Sequence, residues 1–218
     1  MQSRHFFEQG GDTRGGAQAT NLLGLADKAE HLYDDARLKF SDAIAVFRRE
    51  NDRIGEALAL NNLGLVEYTD ENGDMARTEE YWRQALEVHR SLGDKRGIAQ
   101  VLTNLSALAL EQEKSDEAWT ACLEALGCER ELHHAFGVGR TLSNLGEIAE
   151  MKNQPLRAQR LYSGAQCLFN QVGSPYEEYV SDLLARLQGK AEVEWSLSDL
   201  RDKNLDDLVR WALDAPSA

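Results

Sequence analysis

The chain has 218 residues, of which 42% are hydrophobic and 28% charged, and its formal net charge is −13. That charge argues against nucleic acid or an anionic membrane as a partner over a broad face, since both are bound by basic surfaces. The three cysteines have no CxxC spacing, which indicates free thiols in a reducing compartment. No stretch approaches the roughly 20 apolar residues of a membrane span, and no apolar run typical of a signal peptide opens the chain. We therefore predict a cytoplasmic protein.

An internal repeat of 40 to 42 residues organises most of the chain. Its first part is a Leu-Gly or Leu-Ser step, at Leu23-Gly24, Leu63-Gly64, Leu105-Ser106 and Leu145-Gly146. Its second part is a small–large–small series in which the large residue, the knob, stands at Phe40, Trp82, Cys122 and Tyr162. A small residue on one helix lets a second helix approach closely, and the series places small residues around the knob on one stripe of that second helix. The pattern predicts helix pairs that bury their faces against one another.

In chain order, the pattern predicts helix pairs over 17–51, 53–92, 96–132 and 137–172. A further helix is expected from Pro175 to about Gln188, and a closing helix from Ser198, its N-cap, to Leu213. We accordingly divide the chain into residues 1–16, a remnant of a preceding repeat or a disordered segment; residues 17–173, four repeats; and residues 174–218, capping helices and a tail.

Aspartates precede several of the predicted helices. Asp52 and Asp94 are each followed by Gly three residues later and suit N-caps, which accept the free N–H groups of the first turn. The same Asp-x-x-Gly pattern begins at Asp12, and Phe7 stands 40 residues before Phe47. Either the chain starts inside the second helix of an earlier repeat, or its start is a frayed cap. In the first case Phe6 and Phe7 would mediate association through the N-terminal end of the array.

These residues resemble the tetratricopeptide signature from about residue 17 to 172. The resemblance implies an all-α fold, a right-handed α-solenoid of antiparallel helix pairs with a C-terminal capping helix. The period is longer than the usual 34 residues, as in HEAT repeats, and the proline that usually ends each unit is missing. The small–large–small series favours tetratricopeptide repeats.

Three successive repeats also carry Asn before the Leu step, at Asn62, Asn104 and Asn144. With the segment Leu92 to Ala99, they look like the long-period arrays in the C-terminal regions of LuxR/MalT- and AfsR-like bacterial transcriptional activators and of signalling ATPases. Similar arrays occur in kinesin light chains and cell-polarity scaffolds.

The resemblance also implies a binding site. In such arrays the first helices line the concave side, and an Asn at this place bonds the main chain of an extended peptide; the alternative is a structural hydrogen bond between repeats. One turn earlier, on the same face, stand Leu58, Gln100 and Arg140. Arg140 suits a carboxylate of the partner or an ion pair with Glu147 or another surface acid. Leu65 is expected on the floor of the groove.

The sequence contains no P-loop, GxSxG or HExxH motif, so we predict no enzyme and no cofactor. His133 and His134, with Glu129 and Glu131, are interpreted as an exposed turn and not as a metal site, because metal ligands converge from several elements. We predict a non-catalytic protein- or peptide-binding module, the interaction or sensing part of a bacterial cytoplasmic regulator. The alternatives are a small-ligand-sensing domain and an oligomerising scaffold.

Overall fold

The computed structural model describes residues 12–187 and 196–214. In these ranges the regular secondary structure is entirely α-helical, which confirms the predicted fold class. The helices are α1 (Thr13–Ala29), α2 (Tyr33–Arg49), α3 (Arg53–Thr69), α4 (Met75–Leu92), α5 (Lys95–Glu111), α6 (Ser115–Glu131), α7 (Ala135–Met151), α8 (Pro155–Gln171), α9 (Tyr176–Arg186), α10 (Leu197–Leu200) and α11 (Leu205–Leu213). Odd-numbered helices from α1 to α7 are the first helices of the four repeats.

The chain divides into two compact units, Met1–Asn104 and Leu105–Ala218, and α5 begins in the first and ends in the second. In the first unit α1 to α4 pack in sequence, and the first helices α1 and α3 also contact each other. In the second unit α6 to α9 pack in sequence, and α10 and α11 pack on α8. Paired helices in sequential contact are the arrangement that the repeat pattern predicts.

Each knob packs against the small residue of its own repeat. A Cβ added at Gly24 would lie 2.8 Å from the Phe40 ring, and one at Gly64 would lie 2.6 Å from Trp82 Cδ1. Gly146 stands in the same relation to Tyr162. In the third repeat the knob is the small Cys122, and its thiol is instead hydrogen-bonded with the Ser106 side chain. All four knobs are buried. The size of the first-helix residue therefore compensates for the size of the knob.

The predicted aspartate caps are confirmed. Asp12, Asp52 and Asp94 each accept a hydrogen bond from the backbone N–H of the residue three positions later, at 2.8 to 3.1 Å. The cap at Asp12 starts α1 at Thr13, four residues before the predicted start of the first repeat. At the fourth equivalent position, His134 makes no side-chain cap bond. The residues directly before Asp52, Asp94 and His134 have a left-handed backbone; they are Asn51, Gly93 and His133.

The single closing helix predicted from Ser198 to Leu213 is wrong. The segment contains two helices, α10 and α11, and the N-cap of α10 is Ser196. The helix restarts at α11 because the side chain of Asn204 accepts a hydrogen bond from the Asp207 N–H at 2.9 Å, which satisfies an otherwise free first-turn donor. The predicted buried face is largely confirmed, since Leu200, Leu208, Val209 and Ala212 are buried.

Phe6 and Phe7 lie outside the described residues, so association through the N-terminal end stays a prediction. Of the helices in the described parts of the chain, none is long and apolar enough to cross a membrane.

Candidate partner-binding face

The predicted site residues fall in both units. Leu58, Asn62 and Leu65 lie on α3, and Gln100 and Asn104 lie on α5, all within the first unit. Arg140 and Asn144 lie on α7, in the second unit. We use the term first-helix face for the surface that α1, α3 and residues 95–104 of α5 present in the first unit.

The asparagines of the first-helix face join neighbouring first helices. Nδ2 of Asn62 donates to Oδ1 of Asn21 at 3.2 Å, and Nδ2 of Asn104 donates to Oδ1 of Asn61 at 3.0 Å. The donors, Asn62 and Asn104, occupy the same position in their repeats. The acceptors, Asn21 and Asn61, occupy the position one residue earlier in theirs. The structural bond between repeats, considered above as the alternative, is thus present at both places. The contact with a partner stays a prediction.

Asn21 and Asn61 were not predicted as members of this arrangement. Asn61 is buried, and its backbone carbonyl accepts a hydrogen bond from Nε1 of Trp82 at 3.1 Å. The signal in the sequence is the spacing of 40 residues between the two asparagines. The later repeats have Thr103 and Ser143 at this position, whose hydroxyls donate to carbonyls of their own helices at 2.8 and 3.1 Å.

A groove of about 310 Å3 runs between α1 and α3. Three aliphatic side chains that line it are widely exposed: Leu22 (64%), Ile54 (55%) and Leu58 (43%). Gln18 and Asn21 add amide groups to its lining, while Arg14 and Asp52 also contribute. Exposed aliphatic residues that cluster in a groove are typical of surfaces that bind a partner, whereas isolated ones need no explanation.

The exposed head groups of the first-helix face are mostly cationic. On α1, α3 and residues 95–104, the carboxylates of Glu56 and Glu67 are buried, and Asp27 is the one half-exposed acid. Asp27 pairs with Lys39 of α2. The exposed or half-exposed cations on the same segments are Arg14, Lys28, Arg53, Lys95 and Arg96. This distribution is opposite to the net charge of −13 of the whole chain.

Buried carboxylates behind the face are held by arginines. Nε of Arg14 bonds Asp52 at 2.5 Å, and Arg48 and Arg53 bond the two carboxylate oxygens of Glu56 at 2.7 and 2.5 Å. The charges of the buried acids are thereby compensated, as buried charges require.

A second arginine cluster lies between α2 and the end of α3. Arg37 donates to Glu67 at 3.0 Å and to Asp70 at 2.6 Å. The backbone N–H of Asn72, and next the Arg37 guanidinium, lower the pKa of the Asp70 carboxyl. The cluster ties the last turn of α3 to α2 and so fixes the helices that support the groove.

On α7, Arg140 is half-buried, and its Nε has no hydrogen-bond partner among the residues that the structure describes. The ion pair with Glu147 is absent from the described residues. Glu147 instead accepts a hydrogen bond from the Tyr179 hydroxyl at 2.8 Å. Burial, and then this bond, raise the pKa of Tyr179 to about 12. Asn144 is half-buried one turn further along α7.

The histidine turn differs in one respect from the exposed turn that we expected. His133 is exposed, but Glu129 is buried, and its Oε2 lies 2.6 Å from Nδ1 of the half-buried His134. Glu129 packs under Gly137, as Phe47 packs under Gly55 and His89 under Gly97. It is therefore a packed residue of the repeat. Across residues 12–187 and 196–214, no three His, Cys, Asp or Glu side chains form a group that could hold a metal ion.

Comparison with known proteins gives one distant relative and a similar fold. The chain is 26% identical over 194 residues to Regulatory protein AfsR of Streptomyces griseus, a match that covers 77% of this chain and 20% of that protein. The chain thus spans about a fifth of the length of this relative. No protein-family model matches the sequence.

The fold is similar to that in the crystal structure of BtubC (BKLC) from P. vanneervenii, with a TM-score of 0.60 and 19% identity. This match covers 85% of the chain and 70% of that protein. The chain is therefore a tetratricopeptide-like helical repeat array with a distant similarity to part of an AfsR regulator. The predicted likeness to LuxR/MalT-type activators and signalling ATPases is not tested by these matches.

Proposed function

We propose that this chain is a polypeptide-binding module and the interaction part of a regulatory protein. We further propose that it takes its partner on the first-helix face of the first unit. The observation that carries the proposal is the groove between α1 and α3, where Leu22, Ile54 and Leu58 are exposed together. The similarity to a regulatory protein supports the cellular role.

A polypeptide suits this groove better than an enclosed small molecule does. Small-molecule sites are usually clefts of about 300–1,000 Å3 that bury most of the ligand. The groove has about 310 Å3, and its aliphatic side chains remain largely open to solvent. A chain segment can place one or two apolar side chains in such a groove and extend beyond it along the neighbouring helices.

The supporting surface is held in place before any partner arrives. The Asn104–Asn61 and Asn62–Asn21 bonds connect successive first helices, and the Arg37 cluster fixes α3 to α2. A surface that is already ordered loses less conformational entropy on binding. The predicted contacts of Asn62, Asn104, Gln100 and Leu65 with the partner belong to this proposal. Those of Arg140 and Asn144, which lie on α7 in the second unit, stay separate predictions.

The test compares two leucines that are almost equally exposed but lie on different surfaces of the chain. Leu22 on α1 is 64% exposed and lines the groove, whereas Leu38 on α2 is 63% exposed and belongs to a second helix. A random dodecamer peptide library is selected on the immobilised chain, and enriched peptides are measured against Leu22→Glu and Leu38→Glu. Both substitutions replace an exposed side chain, so both proteins should fold, which circular dichroism and thermal melting check.

We expect enriched peptides to lose at least tenfold in affinity for Leu22→Glu, since a carboxylate would be placed in an apolar contact. Affinity for Leu38→Glu should stay within a factor of two of the wild type. A library that yields no enriched peptide, or peptides that bind both variants as they bind the wild type, would contradict the proposed function.

A further inference from the structure

The charge of the first-helix face indicates which kind of polypeptide would bind there. Five cations are exposed or half-exposed on α1, α3 and residues 95–104, and the one half-exposed acid, Asp27, is already paired with Lys39. The whole chain carries 37 acidic and 24 basic residues. Two of the cations, Arg14 and Arg53, already bond buried carboxylates, and the capping carboxylates of Asp12 and Asp94 beside the face accept backbone N–H groups. The face is therefore less acidic than the chain as a whole, which favours an acidic partner there over a basic one.

Of the five cations, Arg14 lines the groove, whereas Arg96 lies beyond it on α5. Arg14 and Arg96 hold equivalent positions in the first turns of α1 and α5, and both are exposed. Gln18 and Gln100 follow one turn later, and Leu22 and Asn104 follow two turns later on the same face. The arginine row and the Leu22 row are thus separated by eight residues, or about 12 Å along the helix. Ile54 of α3 holds the repeat position of Arg14 and Arg96, so a partner meets an aliphatic side chain in the arginine row itself, and Leu58 and Leu22 one and two turns further along.

Arg14 can hold a second carboxylate while it keeps its present one. Its Nε bonds Asp52, whose carboxylate is buried, while the Arg14 side chain is 58% exposed. A guanidinium has five N–H donors, so a single bond leaves capacity for an acceptor on the solvent side. The N-terminal ends of α1 and α5 are already capped by the carboxylates of Asp12 and Asp94, so a carboxylate of the partner would bond the arginine side chains and not the helix ends.

We propose that the partner is an acidic amphipathic segment of polypeptide, which inserts an aliphatic or aromatic side chain between Leu22, Ile54 and Leu58 and places Asp or Glu side chains against Arg14 and Arg96. This inference rests on the proposed function and adds the chemical class of the partner. The apolar groove favours a polypeptide over a nucleic acid, whose phosphates would leave the aliphatic side chains uncovered.

The experiment compares selections on three forms of the full chain, with a random dodecamer library displayed on phage as the probe. The forms are the wild type, Arg96→Glu and the matched charge reversal Arg83→Glu, which lies on the second helix α4 and is also exposed. We expect the wild-type pool to contain at least twice the Asp and Glu content of the input pool, together with Leu, Ile or Phe. Arg96→Glu should abolish the enrichment in acids, and Arg83→Glu should keep it.

The best peptide is then synthesised with its carboxylates and with Gln and Asn in their place. Fluorescence anisotropy should show about tenfold weaker binding for the amide form, as expected when a charge-assisted bond to an arginine is lost. The affinity of the acidic form should fall as the salt concentration is raised from about 50 to about 500 mM, because salt screens exposed charges. Both concentrations lie within roughly 0.01–1 M, where the screening length changes strongly.

The outcomes separate this inference from the proposed function. Enriched peptides that lack acids but still lose affinity for Leu22→Glu would overturn the acidic partner and leave the polypeptide-binding face standing. An absence of enriched peptides would remove both. Tighter binding of an oligonucleotide or of phosphatidylglycerol vesicles than of the best peptide, with the same sensitivity to Arg96→Glu, would also overturn the inference.

Discussion

The side-chain nitrogen of Asn104 donates to the side-chain oxygen of Asn61 at 3.0 Å, across two successive first helices of the array. The Asn62–Asn21 pair repeats the relationship one step earlier. An amide suits both ends of such a bond because it donates and accepts at once. Two of the three asparagines that resemble peptide-binding residues, Asn62 and Asn104, thus already have a structural role in the folded chain.

We predict that Asn104→Ala lowers the free energy of unfolding by about 1 kcal/mol, as expected for one partly buried hydrogen bond. Asn61→Ala should cost a similar amount or more, because Asn61 is buried. The double variant should lose less than the two single variants together. Urea unfolding measures all three, and Gln100→Ala, exposed one turn from Asn104, is the control with little expected effect. Strict additivity would mean that the bond contributes nothing.

The same Asn104→Ala protein separates the two roles of this residue once a binding peptide has been selected. A partner contact predicts a loss of affinity at a temperature where the variant is still fully folded. A purely structural role predicts lower stability with an unchanged dissociation constant. Anisotropy titration and thermal melting of one preparation give both values.

The second prediction concerns the size match of the knobs. Gly64→Ser should destabilise the protein by about 1–3 kcal/mol, because the new side chain would overlap the indole of Trp82. Trp82→Cys should cost about 3–5 kcal/mol through the cavity that it leaves. The double variant reproduces the Ser and Cys of the third repeat, so the Gly64→Ser substitution should cost much less in the Trp82→Cys background. Urea unfolding tests this, and an equal cost in both backgrounds would refute the size match.

The third prediction concerns pH and the Asp70 carboxyl. Its pKa is lowered in the folded protein, so its contribution to stability is present above the unfolded value of about 4 and is lost as pH falls through the folded pKa. The stability difference between wild type and Asp70→Asn should therefore be present at pH 7 and shrink below about pH 4. Urea midpoints across this range measure it.

Asp34→Asn is the control for Asp70→Asn. Asp34 bonds the same guanidinium at 2.9 Å, but its side chain is fully exposed. Exposed ion pairs contribute little, so this variant should match the wild type at every pH. An Asp34→Asn effect as large as that of Asp70→Asn would mean that burial does not distinguish the two carboxylates.

The sequence predicted what is repeated and missed what occurs once. The Leu-Gly steps, the knobs and the Asp52 and Asp94 caps each have copies at regular spacing, so their packing could be inferred from the pattern alone. The closing segment after residue 196 has no second copy. A continuous apolar stripe therefore predicted one helix, whereas the Asn204 cap divides it into two.

The face itself could be predicted only in part. Leu58 and Leu65 followed from helical spacing, but Leu22 and Ile54 did not, because exposure depends on what the neighbouring helix covers. The charge of the first-helix face could not be predicted from the sequence for the same reason. Nothing in the sequence marks Glu56 and Glu67 as buried, and their burial beside arginines of α2 leaves the exposed groups on these segments mostly cationic.

The different sizes of the knobs also affect how the chain folds. Repeated helices of similar sequence can pair out of order during folding, which is a common error of repeat proteins. Here a helix with Ser106 that met the Trp82 helix would overfill the contact, and one with Gly64 that met Cys122 would leave it empty. Only the third repeat is distinguished in this way, because Gly24, Gly64 and Gly146 all face a large aromatic knob. The Ser106–Cys122 pair should therefore disfavour the pairing of third-repeat helices with helices of the other repeats.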